Sequence, residues 1–163
     1  RSRVIATEIA NRFQQKARAI TLYDLQENPL PLCDAGACYG DPAVQRLGGL
    51  VQNAKGIIIA APVYNYDVGA AAKNVVELTG KAWTETVVGF ACAAGGTVSY
   101  MAAMGLANSL MLDFRSFILP KFVFATGKAF DEENRLIDED VAARVDELTN
   151  SLVRVTEALN SAP

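Results

Sequence analysis

Residues 56–99 read GIIIAAPVYNYDVGAAAKNVVELTGKAWTETVVGFACAAGGTVS. The stretch opens on Gly56–Ala61 (GIIIAA), an uninterrupted apolar run of strand length. A strand apolar at every position is expected where helices cover both faces of a sheet. Gly69–Lys81 then reads as a helix, and Val87–Ala93 (VVGFACA) as a second continuous apolar strand. Strand, helix and strand in that order form the crossover unit from which parallel sheets are built.

The same alternation continues on both sides. Toward the N-terminus, Val4–Lys16 carries Ile5, Ile9 and Phe13 on one helical stripe, and Arg18–Leu25 (RAITLYDL) reads as a strand. Asn28–Asp41 is a loop holding Pro29 and Pro31, and Pro42–Ala54 is a helix with Asp41 as its N-cap and proline at its first position. Toward the C-terminus, Tyr100–Leu112 is a helix, and Phe117–Ala125 a strand that Pro120 assigns to a sheet edge. Asp138–Leu159 is an amphipathic helix with Val141, Val145, Leu148, Leu152, Val155 and Leu159 at helical spacing. The expected fold is α/β: one doubly wound, three-layer parallel sheet. The chain opens on a helix, and the strands number four where such a sheet usually has five. A first strand and its phosphate-binding turn, ~15 residues, are therefore expected ahead of Arg1.

Composition narrows the function. A chain of 163 residues is one domain's worth, and 51% apolar against 20% charged residues excludes disorder. Fifteen basic and 18 acidic side chains give −3, which argues against nucleic acid as a partner. With no histidine, a Ser-His-Asp triad and an imidazole base are excluded within this chain. Three cysteines, an odd number, point to a reducing compartment, the cytoplasm, rather than a disulfide framework. The start, RSRVIATEIA, lacks the apolar core of a signal peptide. Thr86–Leu112 has no charge and is long enough to span a bilayer, but Gly95-Gly96 breaks it, so no membrane span is expected. Residues 128–163 carry 4 basic and 9 acidic side chains, read as the solvated face of the last helix.

Ligands of open α/β sheets bind beyond the carboxyl ends of the strands, and two of those ends are chemically unusual. After the GIIIAA strand, Pro62 turns the chain off the sheet, Tyr64 and Tyr66 offer flat faces, and Asn65 offers amide donors and an acceptor. The alternative is a turn with two core tyrosines. After the VVGFAC strand, Ala94-Gly95-Gly96-Thr97 lets main-chain N–H groups approach a ligand; the alternative is a tight strand-to-helix turn. Neither loop is GxGxxG or a P-loop. Together they suit a planar, hydrogen-bonding ring such as a flavin, whose edge needs hydrogen bonds and whose faces need cover.

The segment APVYNYDVGAAAKNVVE (61–77) is similar to the signature of the NADPH-dependent FMN reductase family, Pro-x-Tyr-Asn followed by Lys-Asn near the next helix start. Pro62, Tyr64, Asn65, Lys73 and Asn74 match it. The run CAAGGTVSYMAAMGLANSL (92–110) resembles that family's following loop and helix through Gly95 and Gly96. The resemblance implies a flavodoxin-like fold and a bound FMN reduced by NADPH or NADH. It implies that Pro62, Val63, Tyr64, Asn65 and Tyr66 line the isoalloxazine ring, and that Ala94, Gly95, Gly96 and Thr97 hold its pyrimidine edge. It implies that Ser2, in Arg1-Ser2-Arg3, is the tail of the phosphate loop. Two positions depart: Tyr66 stands where relatives often have a small residue, and Gly69 where proline is frequent. The implied activity is hydride transfer from NAD(P)H to flavin and on to a small-molecule acceptor: a flavin, a quinone, an azo compound or a metal oxyanion. A flavodoxin-like electron carrier and a flavin-free interaction module are the alternatives.

Lys73 and Asn74 are expected to be structural, and Glu77 and Lys81, at i,i+4, to pair. Cys33 and Cys38 lack the further soft ligands a metal site needs, since only Cys92 remains; loop cysteines without function, the commoner case, and redox-active thiols are the other readings. The uncharged Tyr100–Leu112 helix is expected to be buried on all sides, under a homodimer or homotetramer interface.

Overall fold

The computed structural model describes residues 1–161. In chain order it holds α1 (Ser2–Gln15), α2 (Pro42–Asn53), β1 (Gly56–Tyr64), β2 (Asp67–Val68), α3 (Ala70–Thr79), β3 (Val87–Ala93), α4 (Met104–Phe114), β4 (Phe117–Ile118), β5 (Val123–Ala125) and α5 (Glu139–Asn160). Single 3-10 turns lie at Ala37–Gly40, Gly80–Trp83, Tyr100–Ala103 and Gly127–Ala129. The helices start where their caps dictate. Asp41 accepts from the Ala43 N–H at 2.7 Å ahead of Pro42, and Asp138 from the Val141 N–H at 3.0 Å.

Side-chain alternation along the central strands divides the core into two layers. Val88, Phe90 and Cys92 face a cluster with Leu47, Val76, Trp83, Leu106 and Leu110. Val87, Ala91 and Ala93 face the other, with Ile5, Ile9 and Phe13 of α1 and Val145, Leu148 and Leu152 of α5. Gly89 lets α5 approach: a Cβ there would lie 2.8 Å from the buried Leu148 side chain.

β1 and β3 pair in parallel from Gly56↔Val87 to Pro62↔Ala93, and β4 and β5 both pair with β3 in parallel. The sheet is mostly, not wholly, parallel, because β2 folds back antiparallel on β1. The expected strand Phe117–Ala125 is two short strands interrupted around Pro120, at the sheet edge as its proline implied.

The expected strand Arg18–Leu25 does not form. Residues 18–24 carry no regular secondary structure and pair with no strand, with Ile20 and Leu22 exposed. Between this segment and the open edge of β1 lies a cavity of about 2130 Å³, lined by Ile20, Leu22 and Tyr23 opposite Ile57, Ile58 and Ile59. That exceeds the roughly 300–1,000 Å³ of an ordinary ligand site. It explains why β3 is buried at every position while Gly56–Ala60, equally apolar, is half-buried. Both faces of β1 are covered, but its edge away from β3 is bare over residues 56–62, before the pairing with β2. The Tyr23 hydroxyl, on the cavity wall, is buried with no hydrogen-bond partner.

No helix among the described residues is long and apolar enough to cross a membrane.

Candidate functional site

The parallel register brings the two unusual loops together. Pro62 stands opposite Ala93, so Val63–Tyr66 and Ala94–Thr97 leave neighbouring strands side by side at their carboxyl ends. Pro62 does not turn the chain off the sheet, as its fixed φ suggested. It lies inside β1, and its carbonyl accepts from the Gly69 N–H at 2.8 Å. The turn comes later, at Asn65 (φ 50°) and Tyr66 (φ 66°), between the paired residues Tyr64 and Asp67. Two successive positive φ values in a two-residue hairpin loop mark a type I′ turn, in which asparagine is favoured. Tyr66 bears a left-handed conformation costing roughly 1–2 kcal/mol, at the position where the resemblance implied a smaller residue.

Tyr64 and Tyr66 are 64% and 68% exposed. The alternative of two core tyrosines is therefore excluded, and the ring faces are free beside the exposed Asn65 amide. Val63 differs: its side chain is buried in the core, so it offers the site only backbone.

In the second loop, Ala94 is buried and anchored, its N–H donating to the Ala125 carbonyl at 2.8 Å. Gly95, Gly96 and Thr97 are exposed, and among the described residues their N–H groups make no backbone hydrogen bond. A Cβ at Gly95 or Gly96 would meet nothing within 4 Å, and neither residue has a positive φ. Neither backbone conformation nor packing requires glycine there. The tight-turn alternative thus loses its physical reason, and free N–H groups remain for a ligand.

The third element is the start of α1. Its first N–H paired within the helix is that of Ile5, donating to the Arg1 carbonyl at 3.1 Å. The first turn has no side-chain cap and no acidic residue, which suits an anion. Arg1 stacks its guanidinium 5.9 Å from the Phe130 ring centroid. Arg3 is committed elsewhere, to Asp24 at 3.0 Å and to Glu27. Ser2, Pro62, Val63, Tyr64, Ala94 and Gly95 line one cavity; Asn65, Tyr66, Gly96 and Thr97 lie on the exposed parts of the same two loops.

Asn74 is structural, as expected. Its amide donates to the Pro31 carbonyl and accepts from the Cys33 N–H, both at 2.9 Å, fastening the 28–41 loop to α3. Glu77 pairs with Lys73 at 3.5 Å, not with the expected Lys81. Lys81 falls in the 3-10 turn after Gly80, where the helical i,i+4 geometry has ended. This fastening and the orphaned Tyr23 hydroxyl had no signal in the sequence, because both depend on residues distant along the chain.

The sequence profile of the NADPH-dependent FMN reductase family matches residues 1–131. The chain is 28% identical over 145 residues to an NAD(P)H-dependent FAD/FMN reductase of Geobacillus thermodenitrificans, covering 87% of this chain and 78% of that one. It is 29% identical over 129 residues to an NADPH azoreductase of a Bacillus species, covering 78% of this chain and 70% of that one. In three dimensions it is similar to FerB, a flavoenzyme NAD(P)H:acceptor oxidoreductase from Paracoccus denitrificans. The TM-score is 0.74 at 15% identity, over 94% of this chain and 88% of that one; at that identity the likeness shows the fold. By the match over residues 1–131, this chain belongs to the NADPH-dependent FMN reductase family.

Proposed function

We propose that this chain binds FMN between the Pro62–Tyr66 and Ala94–Thr97 loops and acts as an FMN-dependent NAD(P)H oxidoreductase. The acceptor is a small molecule: a flavin, a quinone, an azo compound or a metal oxyanion. The observation that carries the reading is the pair Gly95 and Gly96, needed by neither backbone nor packing, beside two exposed tyrosine faces. FMN fits these groups, and when bound it supplies hydride acceptance and donation. The N–H groups of Gly95, Gly96 and Thr97 donate to the polar edge of the ring. Tyr64 and Tyr66 cover its face and exclude water, and Asn65 offers its amide. Pro62 and the buried Val63 and Ala94 form the floor. The Ser2 hydroxyl and the free N–H groups of α1 hold the phosphate. A non-enzymatic electron carrier is disfavoured by the modest net charge of −3, since docking to protein partners calls for a strongly acidic surface.

The domain reads as one flavodoxin-like unit. The slot beside β1 is suited to one more parallel strand, which would pair the bare edge. Three free thiols support a reducing compartment, the cytoplasm. The stretch 98–112 supports a homodimer or homotetramer. Val98, Met101 and Leu112 are 76%, 61% and 85% exposed, where an uncharged helix buried on all sides was expected. Sedimentation is expected to give at least a dimer at micromolar concentration; a monomer overturns that assignment.

The test of function is a visible spectrum of desalted protein after addition of FMN, then of NADPH without oxygen. A retained flavin band that NADPH bleaches is the expected result. A band bleached only by dithionite points to the carrier, and no retained band overturns the reading. Asn65→Gly, which keeps the left-handed turn and removes the amide, is expected to weaken FMN binding by about 1–3 kcal/mol. Unchanged affinity removes the Asn65 side chain from the site.

A further inference from the structure

The loop between residues 28 and 41 holds a second cluster of reactive groups that the flavin site does not use. Cys33 and Cys38 are both free thiols, and Cys33 packs against the small apolar cluster of Cys38, Val44 and Leu78. The loop between them is tightly wound. The Asp34 carboxylate accepts from the N–H groups of Gly36 at 2.8 Å and Cys38 at 3.2 Å. The Asp34 N–H in turn points at the Cys38 sulfur, 3.4 Å away. The Tyr39 hydroxyl sits 3.6 Å from the Cys33 sulfur. The Asn74 amide fastens this loop to α3 through Pro31 and Cys33.

The two thiols differ in accessibility. Cys33 is half-buried and Cys38 buried. Cys33 is reached directly from solvent, while a shallow open hollow of about 460 Å³ is lined by Pro31, Leu32, Asp34 and the buried Cys38.

From this geometry we propose that Cys33 and Cys38 form a peroxide-sensitive dithiol, with Cys33 the attacking sulfur and Cys38 the resolving one. The electrostatics agree. Hydrogen bonding by the Tyr39 hydroxyl, then by the Ala35 backbone, lowers the Cys33 thiol below its ordinary value. Burial, then the Asp34 carboxylate, raises that of Cys38. The more thiolate-like sulfur attacks, and the protonated one waits.

The chemistry balances in two steps. The Cys33 thiolate attacks one oxygen of hydrogen peroxide, the O–O bond breaks, and with one proton from solvent the products are a sulfenic acid and water. The Cys38 sulfur then attacks the Cys33 sulfur, forming the S–S bond and releasing the sulfenic hydroxyl as a second water. Asp34 accepts the Cys38 proton on its way to that water. The two cysteines together lose two electrons, which peroxide takes up, and a low-molecular-weight dithiol reverses the change.

The full chain allows a direct test, because trypsin cleaves at Arg18 and Arg46 and leaves both cysteines on one fragment, residues 19–46. Cys92 falls on another fragment and is an internal control: burial pushes its thiol up to about 12. After treatment with about one equivalent of hydrogen peroxide and then iodoacetamide, fragment 19–46 is expected to be lighter by two hydrogens and unalkylated. Dithiothreitol should restore double alkylation. Without peroxide, Cys33 should alkylate roughly tenfold or more faster than Cys92. Cys38→Ser should leave a Cys33 sulfenic acid that dimedone traps, and Cys33→Ser should take no dimedone. A fragment still doubly alkylated after peroxide overturns the proposal, as does equal alkylation of Cys33 and Cys92. The mapping of the unaltered chain stands even if a variant fails to fold.

Discussion

Gly95→Val is expected to remove FMN from the desalted protein while leaving the unfolding midpoint unchanged. The two halves of this result come from the same geometry. A Cβ at Gly95 meets no heavy atom within 4 Å, and the residue has no positive φ, so a branched side chain costs the fold little. Yet Gly95 lines the cavity that Ser2, Pro62 and Tyr64 share, and its N–H is one of the unpaired donors at the end of β3. A valine there fills the space a flat ring needs and holds it beyond hydrogen-bond reach. Losing two buried hydrogen bonds at about 1–1.5 kcal/mol each lowers affinity by roughly two powers of ten. Fluorescence titration with FMN measures the loss, and a thermal melt supplies the control. Wild-type affinity in Gly95→Val overturns the placement of the ring edge at this loop. A lowered midpoint would instead mean that the glycine serves the fold.

Trp83→Ala is expected to cost about 3–5 kcal/mol of stability, the usual range for emptying a large aromatic site. Trp83 is 1% exposed and packs in the cluster with Leu47, Val88, Phe90, Leu106 and Leu110. Its indole N–H donates to the Thr79 hydroxyl at 2.7 Å, and its carbonyl accepts from the Ser116 hydroxyl at 2.9 Å. The residue thus joins the end of α3 to the start of β4, and neighbours on three helices and the sheet restrict collapse into the void. Against a total of roughly 5–15 kcal/mol for a domain, this is a large fraction. Urea unfolding followed by circular dichroism gives the number. A loss under about 1 kcal/mol would show that the core around Trp83 repacks freely.

Much of the fold was legible because the signals are local. Continuous apolar runs marked β1 and β3, Asp41 and Asp138 marked helix starts, and the stripe from Val141 to Leu152 marked the buried side of α5. Both loops of the candidate site were legible for a related reason. A ligand loop leaves the sheet at a strand end, and strand ends show in the sequence as the place where apolar residues stop.

What failed depended on partners. Arg18–Leu25 has the composition of a strand but pairs with no strand among the described residues, and a cavity separates it from the edge of β1. Backbone hydrogen bonds between strands make a strand, and composition alone cannot supply them. The fixed φ of Pro62 taken alone points off the sheet, whereas the parallel pairing with β3 keeps it in the sheet and defers the turn to Asn65 and Tyr66. Glu77 had two lysines at helical spacing, and the end of α3 at Thr79 chose Lys73.

By itself the sequence determined the α/β class, the main helices and the two central strands, the absence of an imidazole base, and the residue types offered at two strand ends. Only the tertiary structure decided that Gly95 and Gly96 stand free of packing, that Tyr64 and Tyr66 face outward, and that Cys33 and Cys38 share one small cluster. The division is physical. Periodicity, caps and breakers act within a few residues and are written in neighbouring letters. Exposure, orphaned donors and thiol pairs are properties of space that distant segments close or leave open.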